Sequence, residues 1–312
     1  IQRRNLIEAA ERILTRIGGA SYAKDTIREI QQGMDKKEAA GTFSDLFKSR
    51  MRTIMIIAVG IAFFQQITGI NAIFYYAPTI FEQAGGSTDS SFLQAIVVGL
   101  TNLVFTLVAI RLIDRLGRKP LLIIGTAAMT IALSMATMAF NNATYDISES
   151  NLDKIENESM KEHLTQLSGS TYGSQKEMFS AAEDVLDEDE LFSFQRNEVK
   201  NFISINATLV LVAILLYVAA FAISLGPVMW TLLSEIFPGN IKGIAISVVG
   251  FFNSLVSYSV TQLFPWELTN LGPTWTFALY AILAGLSLLF VMKFVIETKG
   301  RSLEEVEELL IN

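Results

Sequence analysis

The run Phe63–Ile80, FFQQITGINAIFYYAPTI, decides how this chain must be read. It lies inside an apolar stretch that begins near Thr53 and is long enough to cross a bilayer, for which roughly 20 apolar residues suffice. Yet it carries Gln65, Gln66, Thr68 and Asn71, two residues that loosen a helix (Gly69 and Pro78), and the pair Tyr75 and Tyr76. An amide in hydrocarbon is costly unless it finds a partner or lines a water-filled cavity. A helix that turns polar midway and loosens at a glycine is the pattern of a substrate site at the bilayer midplane. The same amides can bond helix to helix, and both readings stand at this point. If Gln66 and Asn71 face one substrate, the helix must unwind or kink near Gly69. Five positions at ~3.6 residues per turn otherwise place them about 140° apart.

Outward from this run, 51% of the 312 residues are hydrophobic and fall in membrane-length blocks, which marks an integral membrane protein. Six spans are expected: Thr53–Ile80, Leu93–Leu112, Leu121–Phe140, Phe202–Phe237, Ile244–Phe264 and Trp275–Ile296. The fold class is therefore all-α, a six-helix membrane bundle preceded by short helices. No acidic residue lies deep in any of these six stretches. The chain has no cysteine, hence no disulfide or thiol chemistry. It opens on IQRRNLIEAAERIL, without an initiator Met or signal peptide, and reads as a piece of something longer.

Residues 1–50 read as linker helices outside the membrane. Leu6, Ala10, Ile13 and Ile17 fall at helical spacing until Gly18-Gly19, a second helix covers Lys24 to Gln32, and Thr42-Phe43-Ser44-Asp45 is a capping box opening a third. Spans then occupy 51–140 and 202–296, with a tail at 297–312. Between the spans, residues 141–201 hold 14 acidic against 5 basic side chains and account for the net charge of −7. Their polar composition predicts a solvated, partly disordered loop. The acidic run Glu183–Glu190 lacks the glycine and ligand spacing of a calcium loop, so no metal site is expected. His163, the sole histidine, reads as surface decoration. Asn142, Asn157 and Asn206 begin N-x-S/T sequons, which matter only in a eukaryotic secretory pathway.

Basic residues set the sidedness. Arg111, Arg115, Arg118 and Lys119 lie between the second and third spans, Lys242 between the fourth and fifth, and Lys293, Lys299 and Arg301 near the tail. The short connections on the other side, Glu82–Ser91 and Pro265–Pro273, hold neither Lys nor Arg. By the positive-inside rule the N-terminal helices and the C-terminus are cytoplasmic and loop 141–201 is external. Nothing in the charge distribution suggests nucleic-acid binding. No phosphate-binding loop, metalloprotease motif or nucleophile elbow is present, so neither an enzyme nor a cofactor is expected.

QQITGINAIFYY resembles the seventh transmembrane helix of the sugar porter family of the major facilitator superfamily. That family includes bacterial sugar–proton symporters, animal facilitative glucose transporters and proton–inositol symporters. The resemblance implies the C-terminal half of a twelve-helix transporter, in the plasma or bacterial inner membrane. Its substrate would be a monosaccharide (hexose or pentose) or related polyol, moved by alternating access through proton symport or facilitated diffusion. The partners would be the sugar, the lipid bilayer, the N-terminal six-helix half and, in coupled members, protons. Gln65, Gln66, Asn71, Asn102 and Asn253, with Phe221 and Trp230, offer the amides and aromatic faces that a sugar ring needs, and match the family's sugar-contacting positions. Tyr75 is grouped with them. Ala222 and Ser257 replace a Glu and an Asn of the animal transporters, which leaves the sugar open.

A second set matches the family's cytoplasmic signatures: Asp114, Arg118 and Lys119 in DRLGRK, Glu235 and Lys242 around Pro238, and Glu297 and Arg301 in ETKGR. Ile296 and Lys242 depart from the usual proline and arginine. The resemblance implies a latch of ion pairs, whereas the bare residues read equally as membrane anchors before a tail helix capped by Ser302 and Glu305. A non-transporting sugar sensor on the same fold is the alternative function, though its usual long tail is not seen.

Overall fold

A computed structural model describes residues 2–35 and 42–311. The first helix, α1 (Gln2–Asp35), contains a break at Gly19, whose φ of 86° and ψ of 173° suit glycine alone. The helix runs past the expected end at Gln32. A short turn at Phe43–Phe47 follows, and Thr42 donates its backbone N–H to Asp45 Oδ2 at 2.6 Å, as the capping box requires. Leu46 and Met51 are buried in the main core, which fastens this turn to the bundle.

All six expected spans are helical and long and apolar enough to cross a membrane. The first is two helices, α2 (Arg52–Ile67) and α3 (Ile70–Gln83). Then come α4 (Thr88–Leu116) and α5 (Arg118–Asn141). Residues 141–201 differ from expectation: they fold. The strand β1 (Thr144–Ile147) lies between β2 (Ser170–Tyr172) and β3 (Ile203–Ser204), antiparallel to both. Four short helices surround it: α6 (Glu149–Leu152), α7 (Glu158–Thr165), α8 (Gln175–Glu183) and α9 (Glu188–Ser193). Tyr145, Ile147, Leu152, Met160, Leu164, Met178, Phe194 and Phe202 form a core separate from that of the bundle. These apolar residues are scattered singly among polar ones, so no long run announces them. Most are nevertheless aimed inward by the period of a short element, and Phe202 from the turn before β3.

His163 is also more than decoration. Its Nδ1 lies 2.8 Å from Oε2 of the nearly buried Glu190, joining α7 to α9. Two of the sequon asparagines cap helices: Asn157 accepts from Ser159 N and Met160 N, and Asn206 from Leu209 N.

The fourth span breaks at Ser224 into α10 (Ala207–Ile223) and α11 (Leu225–Ile236), because Pro227 has no N–H to return to the turn before it. The fifth, α12 (Lys242–Asn270), does not stop at Phe264 but continues through Pro265, with Phe264 and Leu268 buried on either side. A membrane helix tolerates the loss of one backbone bond where packing holds both flanks. The extension carries Glu267 into the last turn of the helix, three residues before its end at Asn270. The sixth is α13 (Gly272–Phe294), followed by the tail helix α14 (Leu303–Ile311), whose Ser302 and Glu305 cap each other.

Within the bundle α5 packs on α13 and α10, α10 on α4, α2 on α12, and α3 on α4. Membrane helices approach closely through small residues. At Gly125 of α5 an added Cβ would fall 2.1 Å from the Ser224 Cβ, so that crossing admits no side chain.

Candidate functional site

The first span unwinds where its polar residues begin. Gly69 has φ +91° and ψ 14°, and with Thr68 it separates α2 from α3. The turn brings Asn71 back under Gln66, and Asn71 Nδ2 donates to Gln66 Oε1 at 2.8 Å. In an unbroken helix these two would point apart.

Four amides then close into one network. Gln65 Nε2 donates to the Leu225 and Gly226 carbonyls (3.0 and 3.1 Å), two acceptors beside the break that Pro227 imposes. Gln66 Nε2 donates to Gln65 Oε1 (3.2 Å) and to Asn253 Oδ1 (3.1 Å). Asn253 Nδ2 donates to Gln65 Oε1 (2.8 Å) and to the Ala62 carbonyl (3.0 Å). Asn71 Nδ2 also donates to Ser257 Oγ (2.7 Å). An amide has two N–H donors and a carbonyl oxygen with two lone pairs. Gln65 is therefore used up entirely, within the protein. Gln66, Asn71 and Asn253 have spent their donors but keep lone pairs, most of all Asn71, whose Oδ1 has no partner among the described residues. What remains on offer is an acceptor surface suited to hydroxyl donors.

This network forms the floor of a recess of about 380 Å³. Gln65, Gln66, Asn71, Asn102, Phe221, Trp230 and Asn253 all line it. Asn102 and Thr106 approach from α4, and their side chains bond no described residue. Trp230 is half-exposed and rests over Gly250, while Phe221 is all but buried. Tyr75 lies apart from these, largely exposed, in an adjoining recess of about 440 Å³ that shares Gln66, Asn71 and Asn253. Sequence reasoning missed Thr106 of the first recess and the α12 wall of the second: Ser254, Ser257 (noted only as a departure), Tyr258, Thr261 and Gln262. Their signal was present. From Asn253 onward, polar residues on α12 recur at i, i+1, i+4, i+5, i+8 and i+9, one face of a helix.

A second polar cluster sits at the end of the bundle away from the folded 141–201 segment. Arg118 grips Glu235 through Nε (3.1 Å to both oxygens) and Nη2 (2.7 Å), and its Nη1 donates to the Ile113 carbonyl. Thr298 Oγ1 donates to Glu235 Oε2 at 2.5 Å. Glu297 accepts three backbone N–H bonds, from Arg118 (3.1 Å), Lys119 (3.0 Å) and Lys299 (2.8 Å). The Lys119 and Lys299 ammonium groups donate to the carbonyls of Met292 and Arg115. Gly117, at φ +93°, leaves the space that the Glu297 carboxylate fills, since a Cβ there would lie 2.6 Å from it. Of the seven residues read as a latch, Arg118, Lys119, Glu235 and Glu297 meet in this way. Asp114 stays at its exposed margin, 3.9 Å from Arg118. Among the described residues, no hydrogen bond or ion pair ties the Lys242 or Arg301 side chain to the cluster.

The family model described as "Sugar (and other) transporter" matches residues 1–155 and 192–310, skipping most of the small folded segment. A D-xylose-proton symporter of Escherichia coli is 33% identical over 308 residues, covering 97% of this chain and 50% of its own length. A glucose facilitated diffusion protein of Zymomonas mobilis is 31% identical over 309 residues, covering 96% of this chain and 51% of its own. The solved structure of the proton:xylose symporter XylE bound to 6-bromo-6-deoxy-D-glucose matches with a TM-score of 0.64 at 32% identity, over 97% of this chain and 52% of that one. The chain thus spans about half the length of the relatives it matches.

Proposed function

Because this chain belongs to the sugar transporter family, we propose that it is the C-terminal half of a monosaccharide transporter and supplies one wall of its central sugar site. The observation that carries this is the convergence of Gln66, Asn71 and Asn253, with Trp230 and Asn102, on one recess with acceptor capacity left over. Sugar hydroxyls donate to those oxygens, and the face of Trp230 meets the C–H side of the ring. Gln65 holds the broken first and fourth spans together rather than touching the sugar.

The N-terminal six-helix half closes the other wall. The names of the relatives, a proton symporter and a facilitator, support a gradient-driven mechanism of either kind. The protein is a multi-pass membrane protein, and we place its tail and the Arg118–Glu235 cluster in the cytoplasm, with the folded 141–201 segment outside. The cluster ties α5, α11 and the tail, which is how the cytoplasmic side stays shut.

Isothermal titration of the full-length protein with D-xylose, L-arabinose and D-glucose tests the reading. Saturable binding of at least one is expected, and no heat from any would overturn it. For sidedness, cysteines placed at Ser150 and Ser302 of this cysteine-free chain are probed in intact cells with an impermeant thiol reagent. Labelling at Ser150 alone is expected, and labelling at Ser302 alone would reverse the orientation.

A further inference from the structure

Two irregularities make α3 a jointed rod. At its start Gly69 takes a left-handed conformation that glycine adopts freely and other residues do not. Further along, Tyr76 leaves helical values (φ −108°, ψ 15°) two residues before Pro78. Both joints rest on aromatic rings from neighbouring helices. A Cβ at Gly69 would lie 2.9 Å from the ring of Tyr280 on α13, so that ring stacks directly on the backbone. Tyr76 meets Phe264 of α12 with 5.5 Å between ring centroids, and Phe264 meets Tyr280 at 6.1 Å. The rings form a rail from one joint to the other.

The rail is anchored at Tyr280, whose hydroxyl donates to Oε2 of Glu267 at 2.8 Å. On α10 the fully buried Tyr217 donates its hydroxyl to the Thr68 carbonyl at 2.8 Å. In a continuous helix that carbonyl would accept from the N–H four residues on. A dry interior penalises an unpaired carbonyl heavily. The Tyr217 hydroxyl therefore favours the broken form over the straight one. Neither tyrosine nor Glu267 lines either recess, so they act on the site only through the backbone.

We propose that Tyr217 and the Glu267–Tyr280 pair are positioning residues, which set the angle at Gly69 and thereby bring Asn71 onto Gln66. They also resist the swing of α3 when the recess opens to admit or release substrate. The inference rests on the sugar-site reading above.

Spin labels on cysteines at Gln83, the end of α3, and at Asn270, the end of α12, report the joint angle in the full-length transporter. Tyr217→Phe, Tyr280→Phe and Glu267→Leu are each expected to shift or broaden the distance distribution. Each should also weaken D-xylose binding (or that of whichever sugar the wild type takes) about three- to tenfold. Glu267→Gln still accepts from Tyr280 and is expected to keep wild-type distances and affinity. Unchanged distances with only a lowered melting temperature would overturn the proposal, as would a Glu267→Gln variant no better than Glu267→Leu. If the wild type binds no sugar, the functional reading fails, while the label distances still decide the joint.

Discussion

The protein holds two polar networks built on opposite principles. In the recess, Gln65, Gln66, Asn71 and Asn253 are neutral, and three of the four are nearly buried. At the other end, Arg118, Glu235, Glu297 and Lys119 carry full charges and sit at the bundle's rim. The difference follows from the solvent. A charge far from water must repay a large desolvation cost, whereas an amide needs only its few hydrogen bonds satisfied. Neutral groups can also release one partner for another at little net cost, because each exchange trades bonds of similar strength. A bidentate ion pair, once broken, leaves a charge behind it. One network therefore suits repeated ligand exchange, and the other suits holding a state shut.

The strongest test of that contrast is Arg118→Ala, which leaves Glu235 with Thr298 as its only side-chain partner among the described residues. A cost of about 2–4 kcal/mol to the closed state of the end that holds the cluster is expected. Faster modification of a cysteine placed in the inner cavity, with sugar affinity changed less than threefold (about 0.6 kcal/mol), is the result to look for. Unaltered accessibility would show that the cluster holds nothing shut.

Next in size is Gln65→Ala. Gln65 donates twice and accepts twice inside the protein. Its loss should lower stability by about 2–3 kcal/mol, read as a depressed melting temperature. Asn71→Ala should do the reverse, weakening sugar binding about five- to tenfold, near 1 kcal/mol, with a smaller change in melting. If both variants lose affinity without losing stability, the division between scaffold and ligand surface within the amide network is wrong.

The smallest effect is expected outside the bundle, at the part-exposed His163 and its partner Glu190. The Glu190 carboxylate raises the His163 pKa above its ordinary 6.5, helped by the nearby Glu162 and Asp187. The His163 ring in turn lowers the Glu190 pKa below its ordinary 4.5. The histidine contribution is present below pH 6.5 and is lost as pH rises through the higher folded value. The glutamate contribution is present above pH 4.5 and is lost as pH falls through the lower one. Protection of the α7 and α9 amides in hydrogen exchange, corrected for intrinsic rates, should therefore be greatest between about pH 4.5 and 6.5 and decline above. His163→Gln should flatten the profile. A profile that is already flat in the wild type would mean the pair contributes nothing, as many exposed pairs do.

The sequence by itself determined the six spans, the family and most residues of the recess. A run of apolar residues needs no tertiary information to exclude water, and an amide within it is conspicuous at once. The need for a break at Gly69 was also legible, since helical geometry alone keeps Gln66 from Asn71. Tertiary structure decided what each amide does with its bonds. That Gln65 spends all of its capacity on α11 and on its neighbours, while Asn71 Oδ1 has no partner among the described residues, depends on which helices pack against α2 and α3. It decided as well that Arg118 and Lys119 meet Glu235 and Glu297 whereas Lys242 and Arg301 do not, because residues more than a hundred positions apart meet only through packing. The segment 141–201 was misjudged for the same reason. Its core residues occur one or two at a time, and a scattered pattern becomes a folded unit only when β1, β2 and β3 pair and the short helices close over them.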